Sequence, residues 1–150
     1  MSELTNLYQE VILDHAKRPR NFHPIANADH LANGYNPLCG DKVTIYLTLV
    51  DDRITDISFQ GTGCAISTAS ASILTETLKG KTRKEAEAIF EEFHSLVTGH
   101  PMKSSDGSTL GKLAVFSGVC EFPVRVKCAS LAWHTMRSAL EGSPVVASSE

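Results

Sequence analysis

The 150-residue sequence has no apolar run long enough to cross a bilayer, and its N-terminal stretch MSELTNLYQEVILDHAKRPR lacks the unbroken apolar core of a secretion signal. The expectation is a protein that neither spans nor enters a membrane. It also lacks a basic surplus: a net charge of -3 with dispersed Lys and Arg offers phosphate backbones no footprint, which argues against nucleic-acid binding. Six histidines occur without any HxxxH or CxxH grouping, so none of them announces a local metal site. No Gly-x-Ser-x-Gly elbow accompanies the hydroxyls of Ser67, Thr68, Ser70 and Ser72, and GTGC lacks the Lys-Ser/Thr ending of a phosphate loop. Serine hydrolase and nucleotide-binding chemistry are thereby disfavoured. No internal repeat or low-complexity tract is present.

What is present suits one globular domain: 42% hydrophobic and 21% charged residues in a chain with no room for a second core. The expected domain spans 1–142, followed by a frayed tail, SPVVASSE, at 143–150. Four cysteines without a secretion signal point to the reducing cytoplasm, and to metal or thiol chemistry rather than disulfides.

Leu4, Leu7, Tyr8, Val11 and Ile12 recur at helical spacing, with Ser2 as a cap and Pro19 forbidding continuation past Arg18. Residues 19–34 read as a long loop ending in a short strand near Tyr35. Val43, Ile45, Leu47 and Leu49 alternate with Thr44, Tyr46 and Thr48, and Asp51-Asp52 turn the chain into a second strand, 53–60, stopped by Gly61 and Gly63. A helix rich in small residues follows from Ala65 to Leu78, suited to close packing on a sheet, with Gly80 as its stop. Thr82 and Glu85 have capping-box spacing ahead of the stripe Ala86, Ile89, Phe90, Phe93 and Val97. The polar segment 99–109 reads as an excursion, with a short helix through Leu113, Ala114 and Val115. Pro123 opens a last helix to Glu141 with Val124, Cys128, Leu131, Ala132 and Thr135 on one face. Together these predict an α+β domain in which an antiparallel sheet of about three strands is covered by helices.

Three cysteines occupy unusual positions: Cys39 in NPLCGD, Cys64 in GTGCAIS and Cys128 in FPVRVKCASLAWH. Asp41 lies two residues after Cys39, across a glycine that allows a tight turn. Thiolates are preferred ligands of zinc and of iron–sulfur centres, and a carboxylate can complete a tetrahedron around zinc. Cys64 stands at a helix start, where unpaired N–H groups favour a thiolate. Arg125 and Lys127 flank Cys128 and can offset the site's negative charge. Each residue also has a plainer reading: Cys64 and Cys128 as buried small hydrophobes, Asp41 as a turn or cap. Cys120 reads as a partly buried free thiol, with a second sulfur relay as its rival role. His134 falls on a different side of the last helix from Cys128, and Trp133 reads as a packing anchor.

From LYQEVILDHAKRPRN through NPLCGD, GTGCAISTASASILTE and FPVRVKCASLAWH, the chain resembles the IscU/SufU family of iron–sulfur cluster assembly proteins, which includes the N-terminal domain of NifU. Within the family it is similar to the SufU branch. Lys127 stands where the IscU branch usually has histidine, and the Cys64–Cys128 segment is longer. The resemblance implies a SufE/NifU-like fold and zinc bound by Cys39, Asp41, Cys64 and Cys128, with Arg125 in support. It further implies that Cys39 accepts persulfide sulfur from a pyridoxal-phosphate cysteine desulfurase of the SufS type and delivers it to the SUF cluster-assembly machinery. A desulfurase histidine would replace Cys39 on zinc during docking. Two other readings stay open: a scaffold holding an iron–sulfur cluster on the same cysteines, and a non-catalytic zinc-stabilised interaction module.

Overall fold

The computed structural model describes residues 3–37, 40–98, 113, 115, 116, 119 and 122–142, with the backbone alone for 3–8. The element order is α1 (Glu3–Lys17), β1 (His30–Asn36), β2 (Asp41–Val50), β3 (Arg53–Thr62), α2 (Ala65–Leu78), α3 (Arg83–Val97) and α4 (Pro123–Glu141). The strands form one antiparallel sheet in the order β1-β2-β3, and helices cover one of its faces. This is the α+β architecture expected from the sequence. The expected tail 143–150, the excursion 99–109, Cys39, Cys120 and Ala114 lie outside the described residues, whereas Leu113 and Val115 are described and buried.

Period-two alternation decides which face of the sheet meets the helices. Val43, Ile45 and Leu47 point inward, while Thr44 and Tyr46 face out and tie the strands together across the wet face: Thr44 Oγ1 donates to Asn33 Oδ1 at 2.7 Å and the Tyr46 hydroxyl to Gln60 Oε1 at 2.8 Å. Asp51 and Asp52 both take left-handed φ, 51° and 64°, the geometry of a two-residue turn whose twist matches the flanking strands. β1 is longer than the short strand expected near Tyr35. Its register carries pairing back to His30↔Leu47, in a segment whose asparagines and glycine hide any apolar alternation.

The helix α4 crosses the sheet at β1, and Gly34 makes that crossing possible. A Cβ there would fall 2.0 Å from Thr135 Oγ1. α4 therefore sits close enough to β1 and β2 to set the height of Cys128 above the sheet. Val124, expected on the buried stripe of this helix, is instead 53% exposed. Pro123 is the first helical residue, so Val124 still lies in the first turn, before the helix reaches the sheet.

α2 fits between α1 and α4, and its small side chains serve helix–helix contacts as well as the sheet expected from the sequence. Ser70 Oγ donates to the Ala129 carbonyl at 2.6 Å and accepts the Trp133 indole N–H at 3.1 Å. Ser72 Oγ meets buried His15 Nδ1 at 2.7 Å and accepts the Arg20 N–H at 2.9 Å, while His15 Nε2 lies 3.5 Å from Glu76. These contacts fasten α1 and the turn after it to α2. The capping box of α3 forms as its spacing requires, with both Thr82–Glu85 hydrogen bonds present, and Ala86, Ile89, Phe90, Phe93 and Val97 are buried. Phe93 stacks on Trp133 at 4.6 Å.

Two expectations follow. Ser70→Ala orphans the buried indole N–H and should cost about 2 kcal/mol, read as a lower urea midpoint at unchanged m. At the α3–α4 contact, burial, the neighbouring His94 and Arg137 together hold the His134 pKa below the ordinary imidazole value. As pH falls through about 6.5, the unfolded chain takes up a proton that folded His134 refuses, so stability must fall. Unfolding curves at pH 7.5 and pH 5.5 should therefore show a smaller loss for His134→Gln than for the parent chain.

Candidate metal centre

At one end of the sheet, β2 begins, β3 ends, and the N-terminus of α2 and the second turn of α4 converge. Asp41 opens β2 opposite Asn36. The alternation that buries Val43, Ile45 and Leu47 runs back one step and turns Asp41 inward, leaving it 1% exposed. Gly40 makes the preceding turn with φ 72°, and its N–H donates to the Asn36 carbonyl at 2.8 Å.

Cys64 caps the N-terminus of α2 from an extended backbone, and its Sγ accepts the Ser67 N–H at 3.4 Å. Its own N–H donates to Asp41 Oδ1 at 3.0 Å. Thus one carboxylate oxygen is spent on the helix start, and the other, Oδ2, lies 3.9 Å from Cys64 Sγ. Cys128 comes from the second turn of α4 and is buried, whereas Cys64 is exposed.

One ligand atom each from Asp41, Cys64 and Cys128 lies within 4.8 Å of the others, and no other group of three or more potential ligands occurs among the described residues. Tetrahedral zinc, with bonds of about 2.0–2.3 Å, sets its ligand atoms roughly 3.5–3.8 Å apart. Small side-chain rotations close that difference. Two thiols and a carboxylate form a donor set that fits zinc or an iron–sulfur centre and ill suits calcium or magnesium, which take oxygen ligands. The N-terminus of α2, capped by Cys64, brings partial positive charge to this end of the sheet.

The structure thus brings together three of the four ligand positions read from the sequence; Cys39 is separated from Asp41 by Gly40 alone. Arg125 is exposed, with its guanidinium 4.3 Å from the Phe122 ring. His134 packs among Phe90 and His94 at ring distances of 5.4 and 5.9 Å. Sequence reasoning treated Gly63 only as a strand stop. In the structure a Cβ on Gly63 would lie 2.7 Å from Asp41 Oδ1, so this glycine belongs to the site. The signal available was its place directly before Cys64.

The NifU-like N terminal domain family matches residues 7–129. The chain is 36% identical to the iron–sulfur cluster assembly scaffold protein IscU of Streptococcus pyogenes serotype M1, over 95% of this chain and 88% of that protein. It is also 36% identical to the zinc-dependent sulfurtransferase SufU of Bacillus subtilis, over 93% and 92% of the two chains. The crystal structure of FiSufU from Fervidobacterium islandicum AW-1 superposes with a TM-score of 0.81 at 38% identity, covering 87% of this chain and 94% of that one. With the site's geometry and these full-length likenesses in agreement, the chain belongs to the NifU-like N-terminal domain family, among relatives named IscU and SufU.

Proposed function

We propose that this chain works in iron–sulfur cluster assembly, and that within that role it is a zinc-dependent sulfur carrier of the SufU type. The observation that carries the reading is the convergence of Asp41, Cys64 and Cys128 at the end of the sheet, with one thiol exposed and two ligands buried. Cys39 would supply the fourth ligand and the acceptor sulfur, with Arg125 as a supporting cation. Bound zinc supplies charge that keeps the thiols deprotonated while occupying their lone pairs, which guards them from oxidation.

The chain's own residues do the rest. Asp41, anchored to the Cys64 amide, holds the ligand set in register with α2, and Cys128 fixes it to α4. Once freed by a docking partner, the Cys39 thiolate attacks the terminal sulfur of a persulfide carried by a cysteine desulfurase. The donor's S–S bond breaks, its electron pair returns to the donor cysteine as thiolate, and a new S–S bond forms on Cys39. No net oxidation occurs. The donor is a pyridoxal-phosphate desulfurase of the SufS type, and the sulfur passes on to the SUF cluster-assembly complex. Such a role places the protein in the cytoplasm; no helix among the described residues is long and apolar enough to cross a membrane.

A second reading is favoured by the IscU relative, which is as similar to this chain as the SufU one. In it, the same cysteines hold an iron–sulfur cluster. A desulfurase assay with and without this protein, paired with elemental analysis, separates the two. Stimulated turnover with one zinc per chain supports the carrier; iron and acid-labile sulfide without stimulation support the scaffold. Unchanged turnover in a protein that unfolds on metal removal would leave only a zinc-stabilised interaction module.

Cys39→Ser should stay folded by circular dichroism yet lose persulfide acceptance at least a hundredfold, read by mass spectrometry after incubation with desulfurase and cysteine. Metal removal should also weaken the fold. A thousandfold excess of ligand over its Kd stabilises by about 4 kcal/mol, and in a domain of this size each kcal/mol moves Tm by about 2–4 °C. Chelation is therefore expected to lower Tm by roughly 10 °C, reversed by added zinc.

A further inference from the structure

Among the described residues, four glycines near strand or helix ends are explained by backbone conformation. Gly40, Gly61, Gly80 and Gly142 all carry φ values in the positive range; Gly63 does not. No left-handed φ calls for glycine at this position. The obstacle lies across the chain. A Cβ on residue 63 would meet Asp41 Oδ1 at 2.7 Å, Cγ at 3.1 Å and Cβ at 3.3 Å, and the three nearest heavy atoms all belong to that one side chain.

We propose that Gly63 is a positioning residue for the metal centre. By presenting no side chain it leaves the slot that the Asp41 carboxylate fills between the end of β3 and the start of α2. The carboxylate is held in that slot from two directions. The Cys64 N–H binds Oδ1 at 3.0 Å, and Asp41 is 1% exposed, so little room is open for it to swing elsewhere. A methyl group at 63 cannot share the space with Oδ1, because non-bonded carbon and oxygen do not approach to 2.7 Å without displacement. The flexible partner in the contact is the aspartate side chain, which must rotate away from Cys64. That rotation gives up the hydrogen bond to the helix start and withdraws Oδ2 from its place beside the Cys64 sulfur. Gly63 thus acts on the ion only through Asp41. The inference rests on the metal-centre reading above and assigns to it a residue that contributes no ligand atom.

The test is a double-mutant cycle on zinc affinity, with Gly63→Ala, Asp41→Ala and the pair, using zinc alone in competition with a chromophoric chelator. Gly63→Ala in the parent chain should weaken zinc about 10–100-fold, the size expected when a supporting contact to a ligand is lost. In the Asp41→Ala background the same change should alter affinity less than about threefold, because the side chain it displaces is already gone. Cobalt-substituted Gly63→Ala and Asp41→Ala proteins should also share one visible spectrum, distinct from the parent's, since both have lost the same oxygen ligand. Equal losses in the two backgrounds, or zinc binding by Gly63→Ala within threefold of the parent, would overturn the proposal. If Gly63→Ala alone fails to fold while the double variant folds, the clash with the carboxylate is upheld; if both fail, the obstacle is not Asp41 and the proposal is lost. A parent chain that takes up no zinc would sink the metal reading itself, an outcome distinct from all of these.

Discussion

One buried carboxylate organises this end of the molecule. Taking the Asp41 side chain out of water is costly unless hydrogen bonds or a cation replace its hydration, and the structure replaces part of it with a single backbone N–H, that of Cys64, at 3.0 Å. That bond ties the first residue of β2 to the first turn of α2, two points separated by the whole β2–β3 hairpin. The remaining oxygen is turned toward sulfur rather than toward solvent. A cation between this carboxylate and the two thiols would replace more of the hydration lost on burial. The metal reading thus follows from the cost of burial as much as from the identity of the ligands.

The rest of the fold holds that arrangement to scale. Gly34 lets α4 descend onto β1 until Thr135 touches its backbone, and this sets the depth of Cys128. Ser70 binds α2 to α4 through Ala129 and Trp133, bracing together the helix capped by Cys64 and the helix that carries Cys128. The polar contacts of Ser72 with His15 and Arg20 then lock α1 against the far side of α2. Asp41, Cys64 and Cys128 thus each come from an element braced by contacts that involve no metal.

Much of this was legible in the sequence, and the legible parts share a cause. The hairpin, the capping box of Thr82 and Glu85 and the last helix from Pro123 are written in local patterns, and each appears at the expected place. Asp41's inward orientation follows from the parity that Val43, Ile45 and Leu47 set, but only once β2 is seen to begin at residue 41, two positions before the alternation read from the sequence. What local pattern cannot record is contact between distant segments. β1 gains most of its length from pairing with β2 rather than from its own composition. The serines of α2 looked like generic small residues, yet two of them make hydrogen bonds to other elements more than fifty positions away. Gly63 looked like punctuation because its neighbour in space, Asp41, is twenty-two positions earlier in the chain. The family resemblance filled in the ligand set, but the geometric reason for glycine at that point required the fold.

The uneven exposure of the two described thiols bears on how such a site would exchange sulfur. Cys128 is enclosed by α4 and the sheet, and Asp41 is enclosed beside it, so both are poor candidates for attack by another protein. Cys64 stands at the surface, but its sulfur accepts a hydrogen bond from the Ser67 amide and its own amide is held by Asp41. Releasing Cys64 would undo the cap of α2 and expose a buried carboxylate. Cys39 differs in its place along the chain, between the end of β1 and the start of β2 and next to the left-handed Gly40. Under the carrier reading proposed above, these anchored positions leave the acceptor role to Cys39.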